Sequence, residues 1–89
     1  MADYHVVGDP VPDCTGDYFE AGIYGGRPWY KQASENFCIW WEDGGGYWVI
    51  SQSVGGYNPH WTKSGPAITG DYNFVPPSGG TPTVVLGPA

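Results

Sequence analysis

The chain has 89 residues, the size of one domain, with 15 glycines, 9 prolines and 17% aromatic side chains. Turn formers at that density with aromatic and β-branched residues between them point to short strands, and the aromatic content excludes a disordered chain. Three basic residues against nine acidic ones leave a formal net charge of −6, which speaks against nucleic-acid binding by phosphate neutralisation and against adhesion to anionic lipid.

Residues 1–13 carry Pro10 and Pro12 and read as an extended N-terminal arm, and the start MADYHVVGDP has neither the basic nor the apolar region of a signal peptide. The first short aromatic stretch is DYFEAG, and the second is IYGGRPWYKQAS, where Gly25 and Gly26 signal a turn and Pro28 argues for an edge or an irregular strand start. FCIWWEDGGGYWVIS (37–51) is a β-hairpin, because two aromatic and β-branched runs flank a glycine cluster able to take positive φ. An odd-length loop centred on Gly44 sets Trp41 opposite Tyr47, Trp40 opposite Trp48 and Cys38 opposite Ile50. Cys38, Trp40, Trp48 and Ile50 then share one face, and Phe37, Ile39, Trp41, Tyr47 and Val49 the other. Both faces are apolar, so the hairpin is central and covered on both sides, or keeps one aromatic face for a partner.

Residues 52–66 read as loop, punctuated by Gly55-Gly56, Asn58-Pro59 and Gly65-Pro66; AITGDYNFV gives one more strand, PPSGG a linker, and TPTVVLG a last strand or a tail. No run approaches the roughly 20 apolar residues of a membrane helix, so no membrane insertion is expected. The expected fold is all-β: one small domain, an antiparallel meander of about five or six short strands forming a small barrel or two-layer sheet. Its parts are an arm over 1–13, a β module over 14–76, and a linker with a possible added strand over 77–89. Pro-x-x-Thr-Gly-Asp-Tyr occurs twice, at Pro12–Tyr18 and Pro66–Tyr72. In each copy glycine turns the chain, the aspartate can cap that turn locally, and Tyr18 or Tyr72 begins an inward-facing strand. The copies read as two strand entries that bracket the hairpin from opposite sides, with both tyrosines buried.

Gly22, Tyr24, Gly26, Arg27, Pro28 and Tyr30, then Trp40 and Trp41, then Gly46, Trp48, Ile50 and Ser51, then Pro66, Gly70 and Tyr72 follow one another in an order that resembles a small β module of large bacterial, phage and algal surface-type proteins. The resemblance covers about residues 16–75. It implies a self-contained β unit, often repeated in tandem, and no catalytic role.

Little in the chain offers chemistry. His5 and His60 are isolated, and Asp9, Asp13 and Asp17 do not form a calcium loop, so no metal or cofactor is expected. Cys38 has no neighbouring base, Ser51 no nucleophile elbow, and the acids at Glu42, Asp43, Asp17, Glu20 and Asp71 no cleft to flank. Cys14 and Cys38 are either one disulfide or two separate thiols. Arg27 reads as structural, paired with an aspartate or stacked on a tryptophan.

What remains is aromatic surface. Trp41, Tyr47, Trp61, Tyr57 and Trp29 form a candidate platform for a sugar ring or a protein partner, with Trp61 in a loop the best placed for exposure. Trp40 and Trp48 read as core, whereas Trp41 and Trp61 suit either role. The expected function is a non-enzymatic structural or surface-recognition module. It would be a subunit or decoration of an extracellular or viral assembly, held to other subunits or to its own copies through the terminal arms. The alternative is a carbohydrate-binding module with a polysaccharide as partner.

Overall fold

The computed structural model describes residues 2–56 and 59–87. They form an all-β domain of nine antiparallel strands: β1 (Tyr4–Val7), β2 (Gly16–Tyr24), β3 (Arg27–Gln32), β4 (Cys38–Glu42), β5 (Tyr47–Ser51), β6 (Trp61–Ser64), β7 (Gly70–Asp71), β8 (Asn73–Phe74) and β9 (Thr83–Leu86). Their order in the sheet is β7-β9-β1-β2-β3-β4-β5-β6-β8. Only Tyr72 separates β7 from β8, so one short segment runs from one edge of the sheet to the other and nearly closes it into a barrel. Near-closure leaves only the two-residue strands β7 and β8 as edges, which limits the open edge that a small sheet would otherwise expose.

β1, β2, β4, β5, β6 and β9 each send a side chain inward, and Tyr72, between β7 and β8, adds another. Val6, Tyr18, Ile39, Trp41, Trp48, Ile50, Trp61, Tyr72 and Val84 form one buried cluster, with Tyr4 and Tyr30 packed at its margin. Period-two alternation explains it: β5 turns Trp48 and Ile50 inward and Tyr47 and Val49 outward. A second, smaller cluster of Cys38, Trp40 and Val49 lies outside the barrel wall, with Trp29, Tyr47 and Val54 packed against it. The central hairpin is thus covered on both sides.

Its register differs from the expected one. Glu42 pairs with Tyr47, Trp41 with Trp48, Trp40 with Val49 and Cys38 with Ser51. The loop is therefore four residues, 43–46, closed by the Gly46 N–H donating to the Glu42 carbonyl at 2.8 Å. An even loop moves every β5 partner by one, and a slip of one exchanges the faces. Trp48 and Ile50 accordingly lie with Trp41 inside, and Val49 and Tyr47 with Trp40 outside.

The possible added strand of 77–89 is present as β9, whereas the N-terminal stretch is no free arm: its β1 belongs to the same sheet. β1 and β9 pair with each other from Tyr4↔Leu86 to Val7↔Thr83, β2 flanks β1, and β7 flanks β9. Val6 and Val84 are buried in the barrel core, so the apolar pairs at the two ends of the chain serve its own sheet.

The repeated heptapeptide lies on this terminal pair. Gly16 pairs with Val6 and Gly70 with Val84, while Val6 and Val84 face each other, which relates the copies by a local two-fold axis between the valines. Gly16 and Gly70 have φ of 119° and 124°, values open to glycine. Tyr18 and Tyr72 are both fully buried, and their hydroxyls donate to the carbonyls four residues earlier, Cys14 at 2.7 Å and Ile68 at 2.8 Å. Each copy is a tyrosine corner: a ring in the core whose hydroxyl pins the incoming chain. The copies bracket the β1–β9 pair rather than the hairpin, and their aspartates reach across strands rather than capping a turn. Asp17 meets His5 Nδ1 at 2.7 Å, and Asp71 accepts from the Thr83 hydroxyl at 2.6 Å.

Candidate functional site

The five tryptophans separate sharply by surroundings. Trp40, Trp41, Trp48 and Trp61 are all buried, and each indole N–H has a partner within the chain. Trp40 donates to Ser51 Oγ at 2.8 Å, Trp41 to Asp43 Oδ1 at 3.4 Å, Trp48 to the Pro66 carbonyl at 3.0 Å and Trp61 to the Gly79 carbonyl at 3.1 Å. Trp29 alone is half-buried, and among the described residues its N–H has no protein partner yet is not sealed from solvent.

The platform expected from the sequence is corrected accordingly. Trp61 is not in a loop: it is the first residue of β6, pairs with Ile50 and Phe74, and is wholly enclosed. Trp41 is roofed by Arg27, whose guanidinium carbon stands 4.2 Å from the ring centroid and 6.0 Å from that of Trp48. Arg27 takes part in neither ion pair of the described residues, so stacking is its role. Tyr57 lies outside the described residues. Tyr47 is half-buried on the outer cluster, its ring laid over the hairpin loop where a Cβ on Gly45 would come 2.0 Å from Cε2. Of the four that are described, only Trp29 and Tyr47 thus share one surface.

Trp29 is held there by its neighbours. Gly22 faces it across the β2–β3 ladder, and a Cβ on Gly22 would stand 3.0 Å from Trp29 Nε1, so a missing side chain makes the bed for the indole. On the other side the β3–β4 ladder holds only Tyr30↔Ile39 and Lys31↔Cys38 and stops short of Pro28, which has no N–H to extend it. The loop after β5 supplies the opposite wall. Ser51, buried at the end of β5, accepts from Trp40 and donates to the Ser53 carbonyl at 2.8 Å, and this fixes the turn that brings Val54 onto the outer cluster.

Between Trp29 and that loop runs a groove of about 230 Å³, with Phe37 and Cys38 in its floor and Lys31, Gln52 and Ser53 at its rim. Lys31 and Glu35 are 3.5 Å apart and largely exposed, a contact that adds little stability and leaves both free to turn toward a ligand. An indole beside apolar floor and polar rim can stack on a flat face and bond its edge.

Nucleophilic chemistry finds poor conditions. Cys14 and Cys38 are free thiols in the inner and outer cluster respectively, not a disulfide. Burial pushes them up to about 12 and about 11, so both stay protonated. A hydroxyl does meet a histidine where Ser78 Oγ lies 2.5 Å from His60 Nδ1. The backbone N–H groups of Ser78 and Gly79, however, are already donated to Val75 and Val11, leaving neither to stabilise an oxyanion. Among the described residues no group of three metal-ligating side chains comes together. No protein-family model, curated protein or solved structure shows significant similarity to the chain.

The sequence separates Trp29 from Trp40 and Trp48 but not from Trp41 and Trp61. The one usable signal was Gly22, a glycine within a strand, which often marks a close approach by another group.

Proposed function

We propose that the chain is a non-enzymatic recognition module that binds carbohydrate in the groove beside Trp29. The observation that carries this reading is the contrast among the indoles: four are enclosed with their N–H groups satisfied, and one is half-open with an N–H that has no partner among the described residues. An aromatic ring with Gln52, Ser53 and Lys31 around it matches what a sugar offers, an apolar face ringed by hydroxyls. The net charge of −6 favours an uncharged glycan over a polyanionic one. In this reading the module decorates an extracellular or viral surface. Contacts with other subunits would use exposed side chains, since β1 and β9 are each already paired on both sides.

Tryptophan fluorescence and calorimetric titration with a panel of neutral oligosaccharides (gluco-, xylo-, manno- and chito-series) test it. Saturable binding that Trp29→Ala abolishes, with the unfolding transition kept, is the expected result. Silence across the panel, or a Trp29→Ala variant that binds as well as the parent, refutes it.

A further inference from the structure

The groove beside Trp29 is not alone on its side of the barrel. A second cleft of about 350 Å³ lies against Pro59, His60, Pro76, Pro77 and Ser78, and Gln52 lines both. Phe37, in the floor of the first, meets the His60 ring edge-on at 5.7 Å. The two depressions therefore adjoin, with the exposed amide of Gln52 where they meet.

His60 is rigidly presented. Nδ1 is bonded to the Ser78 hydroxyl, and the ring is tilted on Trp61 at 5.6 Å and set at right angles to Phe37. A ring fixed by three neighbours loses little entropy on meeting a ligand. With Nδ1 occupied, Nε2 is the polar atom left, and no described residue bonds it. Ligand sites for small molecules generally span about 300–1,000 Å³. The Trp29 groove, about 230 Å³, falls below that range, the second cleft, about 350 Å³, lies just inside its lower end, and the pair together falls well inside it.

We infer that the ligand is an uncharged glycan chain of at least two consecutive sugar units, one stacked on Trp29 and the next lodged beside His60, with Gln52 bonding across the junction. This rests on the carbohydrate reading of the Trp29 groove and adds a second subsite and a chain-length requirement to it. The Gln52 amide carries two donors and an acceptor, so it can serve hydroxyls on both sides at once.

Chain-length series of the same neutral oligosaccharides, from one unit to six, provide the test on the intact chain. Affinity is expected to rise at least tenfold from the single sugar to the two- or three-unit fragment and then level off. His60→Ala should remove most of that gain and leave single-sugar binding in place, Gln52→Ala should also remove most of the gain, and Trp29→Ala should remove binding at every length. Gln52 is exposed, so its variant keeps the test valid if His60→Ala fails to fold. Equal affinity at all lengths, or a length gain untouched by Gln52→Ala, overturns the second subsite while the Trp29 groove stands. No binding at any length overturns the carbohydrate reading itself, and the second subsite with it.

Discussion

The two faces of the β4–β5 hairpin bury tryptophan in different ways. Inside, Trp41 and Trp48 lie edge to face at 5.3 Å in a cluster fed by six strands of the barrel and by Tyr72. Outside, Trp40 is just as buried, yet its cluster has only two other buried members, and its cover is Tyr24, Trp29, Tyr47 and Val54, all partly open to solvent. The inner core is enclosed mainly by the barrel wall, with Arg27, Tyr4 and Tyr30 at its margins. The outer one is enclosed by side chains that are themselves surface. A residue that roofs Trp40 can therefore also meet a ligand, and one that faces the barrel axis cannot.

Truncation should separate the faces most strongly. Trp61→Ala leaves a void that hydrogen-bonded strands cannot close, and a loss of about 3–5 kcal/mol is expected in urea unfolding. That is a large share of the total stability of a domain this size. Trp40→Ala should cost clearly less, because Trp29 and Val54 can settle into the space. Equal losses would mean that the outer roof is as stiff as the barrel wall.

Alkaline pH should follow. Burial holds Cys14 at about 12 and Cys38 at about 11 in the folded chain, against about 9 when unfolded. Above pH 9 the unfolded chain loses these protons while the folded chain keeps them. Stability is thus intact below pH 9 and falls as pH rises, by up to about 1.4 kcal/mol per pH unit for each such group. Cys38 stops contributing near pH 11, and Cys14 continues to about 12. Melting temperatures from pH 8 to 11 should drop, and Cys14→Ala should flatten the curve. A flat curve in the parent chain would mean that the thiols are not shielded. Burial also raises Tyr18 and Tyr72 well above the ordinary phenol range, which steepens the fall beyond pH 10.

Tyr18→Phe and Tyr72→Phe each strand a carbonyl beside the inner core and should cost about 1–2 kcal/mol. The two losses should be equal, because the corners are equivalent about the Val6–Val84 axis. A marked inequality would show that one corner alone anchors the barrel. The smallest stability effect belongs to the proposed site: Trp29→Ala should cost under about 1 kcal/mol while abolishing binding. Gly22→Ala should tilt the indole and weaken binding with still less effect on unfolding.

How much of this was legible follows physical lines. Alternating aromatic runs between glycine and proline clusters identify an all-β domain and its central hairpin, because periodicity and turn chemistry are local. The burial of Tyr18 and Tyr72 could be argued from two copies of one heptapeptide pattern. The register could not, since Asp43, Gly44, Gly45 and Gly46 suit loops of more than one length and one residue decides which face Trp48 takes. Trp61 was misread because β6 is four residues long, with Thr62, Lys63 and Ser64 behind it and prolines nearby, too short and polar for any period to show. The strand at β9 is legible as a possible added strand, but its pairing with β1 is not, because Val6 and Val84 are 78 positions apart and no local rule reports such a pairing.

That pairing fixes where the molecule can be attached. The Gly87 N–H donates to the Asp3 carbonyl at 3.0 Å, so chain entry and exit share one spot on the surface. A polypeptide leading in and another leading out would leave side by side, like the two wires of a pendant lamp. Strung in series, such units would hang from a line rather than extend it, and one inserted into the loop of a host would leave the host's strands undisturbed. Joining the two ends and reopening the chain within 43–46 should give a permuted molecule that still closes its barrel.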